Sequence, residues 1–320
     1  MNHRLADTIV WDAHGCLPLA PGSDLSGLAR YRASGVDFVS INIGMDFNPW
    51  TEVVKTLAYF RRWLAERPDE FVVVGTVEDV LRARAEGRLA VAFDLEGSEP
   101  LDGEVDMVSF YYDLGVRQML MAYNKNSRAA GGCMDDDSGL TDLGRAVVEE
   151  MNRVGMLVDC SHTGLRTTME IMEVSSDPVV FSHSNPRALC DHRRNILDEQ
   201  IVACAQTGGV VGINGVGIFL GENDTSSERI VDHVAYVADL VGAGHVGLGI
   251  DYSFDDEEFQ EFVRQNPEVF PSGDFEFTGF AEPEQVPEIA ELLAARGFSD
   301  EESRGILGGN FMRVASRVWR

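Results

Sequence analysis

The sequence predicts an α/β barrel of eight parallel strands, the (β/α)8 fold. Three observations predict it. Eight short apolar runs alternate with helical patterns along the 320 residues. The runs are too short for helices and too uniformly apolar for a sheet wet on one face, which suits buried parallel strands. Five metal-capable side chains (His14, Glu96, His162, His183 and Asp251) each close one of these runs. In a closed barrel the loops after the strands converge on one face, and chemistry is placed there.

The runs are Thr8–Ala13, Asp37–Ile43, Leu89–Leu95, Gln118–Ala122, Met156–Cys160, Pro178–Ser182, Gly209–Asn214 and His245–Gly249. Helical stretches separate them. Thr51–Glu66 carries Val53, Val54, Leu57, Phe60 and Leu64 on one stripe. Val77–Glu86 is opened by Thr76 as a cap and closed by Gly87, the usual residues for those two ends. Leu140–Val154 starts on a capping signal at Thr141 and Asp142 and ends at Gly155. Asp198–Gln206, Ser227–Val241 and Pro283–Arg296 complete the pattern. Eight repeats predict closure rather than an open sheet. A doubly wound sheet calls for a Gly-rich phosphate loop after an early strand, and no G-x-G-x-x-G stands there. Two long connections, Gly44–Pro49 and Tyr252–Ala281, read either as lids or substrate walls or as solvated surface insertions. Ala129–Ser138, with two glycines and three aspartates, reads as a disordered loop.

Composition agrees with one enzyme-sized domain over residues 1–320. The chain is 44% apolar and 25% charged, ordinary for a globular protein. A net charge of −27 argues against nucleic acid, which needs a basic footprint, and against an anionic membrane surface. No run approaches the roughly 20 apolar residues of a membrane span. Five cysteines without C-x-x-C spacing suit reduced thiols, so a cytoplasmic location is the expectation.

The chemistry-bearing residues follow from the strand ends. Imidazole nitrogen and carboxylate oxygen are ligands that zinc accepts. His14 and Cys16 are two apart, so on a strand both face the mouth. Cys16 is either a thiolate ligand or a small buried apolar residue. Glu96 has two oxygens and can bridge two cations, with Gly97 giving the backbone room to turn. Asp94, on the same face, is an outer partner or a rival ligand. Small hydroxyl residues flank His162 and His183 and can hold an imidazole tautomer. Arg194 either suits bidentate recognition of a carboxylate at the pocket edge or is a surface arginine on a helix. His192 reads as a surface residue.

The segments GLTDLGRAVVEEMNRVGMLVDCSHTG, PVVFSHSN with DHRRNI, VGLGIDYS and GILGGNFMRV resemble the renal (membrane) dipeptidase family, metallopeptidase family M19. The resemblance covers nearly the whole chain, with the motifs in family order. It implies a barrel of the metal-dependent hydrolase type with a binuclear zinc site, of which one or two ions are expected here. It also implies hydrolysis of dipeptides, including those ending in a D-residue, by a homodimer. On this resemblance His14 is the first-strand ligand, Glu96 the bridging glutamate, and His162 and His183 the ligands of the second metal. Arg194 then holds the substrate carboxylate, and Asp251 is the catalytic aspartate and a ligand. Two positions depart from the pattern. Cys16 stands where the family usually has aspartate. Tyr123, in AYNKN, stands where it has a substrate-binding histidine; a phenol can still donate to an oxyanion. Hydrolysis of a non-peptide amide, or a catalytically impaired small-molecule binder on the same fold, are the alternatives.

Overall fold

The computed structural model describes residues 7–254, 256–267 and 278–320. Eight parallel strands close into a barrel: β1 Trp11–Cys16, β2 Phe38–Met45, β3 Leu89–Glu96, β4 Val116–Leu120, β5 Leu157–Asp159, β6 Val180–Phe181, β7 Val210–Ile213 and β8 Val246–Leu248. Each pairs with the next in parallel, and Asp12 opposite Leu248 joins β1 to β8. All eight predicted runs become strands. The boundaries shift where side-chain chemistry departs from hydropathy. β1 runs on to Cys16, so His14 and Cys16 sit within the strand rather than beyond it. Its pairing with β2 shifts register between Asp12 and Gly15.

Periodicity located the long helices well. Trp50–Ala65, Val77–Ala85, Asp142–Val154, Asp198–Gln206, Ser227–Val241 and Val286–Ala295 all form. Thr76 accepts from the Asp79 amide in a capping box, and Thr141 accepts from Gly144. Gly155 ends its helix at φ 92°, a left-handed turn that glycine adopts without a steric penalty. The sequence reading missed shorter or weakly patterned elements. These include helices Leu28–Ala33, Met107–Asp113, Leu165–Val174 and Asn310–Val318, and an edge strand Phe71–Val73 on β3. The Asn310–Val318 helix matters for the barrel. Its Phe311 packs with Trp11, Phe38, Ala90, Leu157 and Val210 from strand starts and so plugs the end opposite the site. Gly247 makes room for that ring: a Cβ there would stand 2.5 Å from Phe311.

Two loop readings change. Ala129–Ser138 is not disordered but pinned. Ser127 Oγ accepts from the Ala129 and Ala130 amides, Thr167 Oγ1 from Gly131, and Asp137 carboxylate oxygens from the Thr167 and Gly139 amides. Its acidic and glycine residues are turn makers satisfied across elements. In the Tyr252–Ala281 connection, Asp256–Gln265 is helical. Residues 255 and 268–277 of that proposed lid lie outside the described residues.

Candidate metal centre

Glu96 is the last residue of β3 and is 2% exposed. Its Oε1 lies 3.4 Å from each of three imidazole nitrogens: Nε2 of His14, of His162 and of His183. Its Oε2 accepts from Asn42 Nδ2 at 2.5 Å. The next residue, Gly97, has φ 131°, and a Cβ there would fall 2.0 Å from Asp46 Oδ1. No other residue fits that turn.

The imidazoles are aimed by partners on their far sides. His14 Nδ1 faces Asp94 Oδ1 at 3.2 Å, and Ser40 donates to Asp94 Oδ2 at 2.6 Å. Asp94 therefore takes the outer role, not that of a ligand. His162 Nδ1 donates to Asn124 Oδ1 at 2.8 Å; the flanking hydroxyls do not hold it. His183 Nδ1 does meet its neighbour's hydroxyl, Ser182 Oγ, at 2.6 Å. With its proton on Nδ1, His162 turns an Nε2 lone pair toward Glu96. The Nε2 atoms of His162 and His183 are 3.1 Å apart.

Asp251 and Cys16 complete the cluster. Cys16 Sγ is 3.3 Å from His14 Nε2 and 3.6 Å from Asp251 Oδ1. Asp251 Oδ1 is 3.6 Å from His14 Nε2, and its Oδ2 accepts from Asn214 Nδ2 at 2.8 Å. Asp251 and His162 both have left-handed backbone, φ 58° and 61°, a region that Asp and His enter more readily than most residues other than glycine. Three ligand groups result: His14–Cys16–Glu96, His14–His183–Asp251 and Glu96–His162–His183.

The electrostatics ask for a cation. Burial, with Arg194 nearby, pushes His162 down to about 3, and burial likewise puts His183 well below its usual range, so both are neutral donors. Burial also lowers His14, but Asp94, Cys16 and Glu96 outweigh it and hold it well above its usual range. Burial lifts Asp251 to about 6, with Glu96 adding and His14 opposing. Two neutral imidazoles, His162 and His183, thus face the carboxylate oxygens of Glu96 and Asp251 in one cluster. That donor set fits a divalent cation, and neutral imidazole with carboxylate is chemistry zinc accepts.

Arg194 and Tyr123 border the cluster. Arg194 is buried at 2% exposure rather than standing at the edge. One terminal nitrogen donates to Ser184 Oγ at 2.9 Å and the other to the His183 carbonyl at 2.7 Å, while Nε has no partner. A cavity of about 210 Å³ beside it is also lined by His162, Cys133, Arg187 and Arg193. Tyr123 is buried, its ring stacked on His162 at 4.3 Å. Burial pushes its hydroxyl well above the ordinary phenol range, so it stays a donor. His192 is half-buried, not a surface residue. Its Nδ1 accepts the Arg194 amide at 3.1 Å and its ring meets Phe219. The sequence reading overlooked Asn42, Asn124 and Asn214. Their signal was an amide inside or at the end of an apolar run, where a buried polar group needs a partner.

Comparison with known proteins agrees with this geometry. Dipeptidase aclJ of Aspergillus oryzae is 28% identical over 283 residues, covering 86% of this chain and 63% of its own. An uncharacterised dipeptidase of Schizosaccharomyces pombe is 32% identical over 226 residues, 69% of this chain and 51% of its own. The chain thus spans less than two thirds of the length of these curated relatives. Among solved structures, an amidohydrolase from Pseudomonas aeruginosa superposes with a TM-score of 0.91 at 25% identity, covering 99% of this chain and 98% of that one. A metallo peptidase from Rhodobacter sphaeroides, liganded with a phosphinate mimic of the dipeptide L-Ala-D-Ala, has the same fold: TM-score 0.79, 20% identity, 98% and 100% coverage. The model of the membrane dipeptidase family, peptidase family M19, matches residues 28–264. With the barrel, the strand-end cluster of metal-capable residues and that match in agreement, the chain belongs to the membrane dipeptidase family, peptidase family M19.

Proposed function

We propose that this protein is a zinc-dependent hydrolase of dipeptides or dipeptide-like amides, including those with a carboxyl-terminal D-residue. One observation carries the reading: a buried carboxylate oxygen equidistant from three imidazole nitrogens, with Asp251 beside it. The relatives' names and the dipeptide mimic held by the Rhodobacter protein support the substrate class. Glu96, His14, His162 and His183 would hold the metal, with Asp251 at its edge. A bound divalent cation supplies Lewis acidity toward the scissile carbonyl and makes water a nucleophile near neutral pH.

The chain's own residues do the rest. Asp251 Oδ1, held by the Asn214 bond to Oδ2, takes a proton from the attacking water and returns it to the leaving amine. The Tyr123 hydroxyl donates to the oxyanion, and its ring fixes His162. Arg194 anchors the substrate carboxylate with the donors that Ser184 and the His183 carbonyl leave free. Hydrolysis of a non-peptide amide is favoured by one feature, Tyr123, because a phenol brings no positive charge where the family pattern has histidine.

The test is direct. Chelated protein, reloaded with zinc, is screened against L,L- and L,D-dipeptides and non-peptide amides. Hydrolysis of a dipeptide that chelation removes and zinc restores is the expected result. Activity indifferent to chelation, or confined to non-peptide amides, overturns it. Homodimerisation is part of the proposal, and light scattering reads it. Five unpaired cysteines support a reducing, cytoplasmic location. No described helix is long and apolar enough to cross a membrane.

A further inference from the structure

The two ends of the metal cluster are chemically unlike. Glu96, His162 and His183 offer one carboxylate and two imidazoles. The other end offers His14, Glu96 and a sulfur, with Asp251 reaching both His14 and Cys16. On the family resemblance the sulfur is the departure at this end, since Cys16 stands where an aspartate is expected.

A proton count shows what the sulfur does. Cys16 Sγ stands 3.3 Å from His14 Nε2 and 3.6 Å from Asp251 Oδ1. Glu96 Oε1 is 3.4 Å from the same Nε2. A neutral thiol has one hydrogen and can answer one of its two acceptors. A proton on His14 Nε2 answers only one of Cys16, Glu96 and Asp251. A cation among them answers all four donors at once. Coordination deprotonates a thiol outright, and the proton goes to solvent. His14 and Cys16 meet the geometric need, because residues two apart on β1 point to the same face.

Resting on the metal-dependent reading above, we infer that Cys16 is a thiolate ligand and that the two cation positions differ in softness. The position of His14, Cys16 and Glu96 selects zinc- or cadmium-like ions. The position of His162 and His183, which lacks sulfur, admits harder divalent ions such as manganese. Glu96 belongs to both groups.

Cobalt reads this without any assay of activity. The metal-free full-length chain is loaded with Co²⁺, its metal content measured and its near-ultraviolet spectrum recorded. Two cobalt ions per chain with a thiolate-to-cobalt charge-transfer band is the expected result. Cys16→Ser should lose the band and bind the second ion at least about ten-fold more weakly, the lower range for disturbing a site's outer partners. Cys16→Asp should lose the band and keep the second ion. Cys133→Ser should keep both. Unmodified protein gives a check that no folding defect can spoil: zinc should slow alkylation of Cys16, mapped by mass spectrometry, at least about ten-fold relative to chelator. Two bound ions without a band overturn the thiolate and leave the hydrolase reading standing. One ion without a band, a band that survives Cys16→Ser, or equal alkylation also overturns it. No bound cobalt removes both readings together.

Discussion

Glu96 works because its neighbours leave it no alternative. Asn42 fixes one oxygen, Gly97 turns the chain away, and the other oxygen meets three Nε2 atoms. His162 and His183 are equally constrained, by Asn124 and Ser182. Replacing either with alanine should abolish bound zinc and hydrolysis together, read by metal analysis and a dipeptide assay. A variant with full metal content and rate places the site elsewhere. Arg194 needs a more careful test, because its burial gives it structural work. Of its five N–H donors, Ser184 and the His183 carbonyl take two. A charge-assisted bond to a carboxylate is worth about 1.5–3 kcal/mol. Arg194→Ala should thus lower kcat/KM for dipeptides by about one to two orders of magnitude. Lysine should rescue poorly, since it lacks the planar fork. A dipeptide amide has no carboxylate to lose. An equal loss on the amide shows that the residue only supports the fold.

The loops after β2, β3 and β4 are tied together by one carboxylate. Asp46 Oδ1 accepts the Glu99 amide at 2.9 Å and Oδ2 the Tyr123 amide at 2.7 Å. Tyr123 is placed by that bond, and Gly97 by the space Asp46 fills. Burial pushes Asp46 up to about 7, against the two amides. The folded chain therefore holds a proton between about pH 4 and 7 that the unfolded chain has released. Its contribution to stability is full below that window and is lost as pH rises through it. Asp46→Asn removes the titration. The variant is less stable overall, since its amide nitrogen cannot accept. Its stability should nevertheless fall less between pH 5 and 7 than that of wild type, by up to about 2 kcal/mol. Denaturant midpoints at the two pH values measure this, and parallel slopes show that Asp46 does not titrate there.

At the scale of the molecule, the cluster draws its groups from five of the eight strands or their loops: β1, β3, β5, β6 and β8. The far end is closed by Phe311 on the last helix. A cation that binds this assembly and not the unfolded chain raises stability by mass action, about 2.7 kcal/mol at one hundred times its Kd. For a chain of this size that is several degrees. Chelation should lower the melting temperature by that much, and zinc should restore it in a concentration-dependent way. Calorimetry reads both, and a melting temperature unmoved by chelator and by zinc shows that no cation bridges the strands.

Sequence alone determined the strand count, the long helices and most of the residues that the structure gathers into the candidate metal cluster. Hydrophobic runs and capping residues are local signals, and a polar side chain that ends an apolar run is visible without a structure. The family resemblance also singles out Cys16 and Tyr123 as the positions expected to depart from its pattern. Only the tertiary structure decided which partners aim those side chains. Asn42, Asn124 and Asn214 reach across 54, 38 and 37 residues to their partners, and no periodicity reports such distances. The same holds for Arg194, which looks exposed in a run of charges yet is buried against His183. It holds too for Ala129–Ser138, whose loop-like composition is pinned by Asp137 and by Thr167 on a helix that periodicity did not reveal. Burial and hydrogen-bond partners are set by elements distant in the chain, and closure of the barrel brings those elements together.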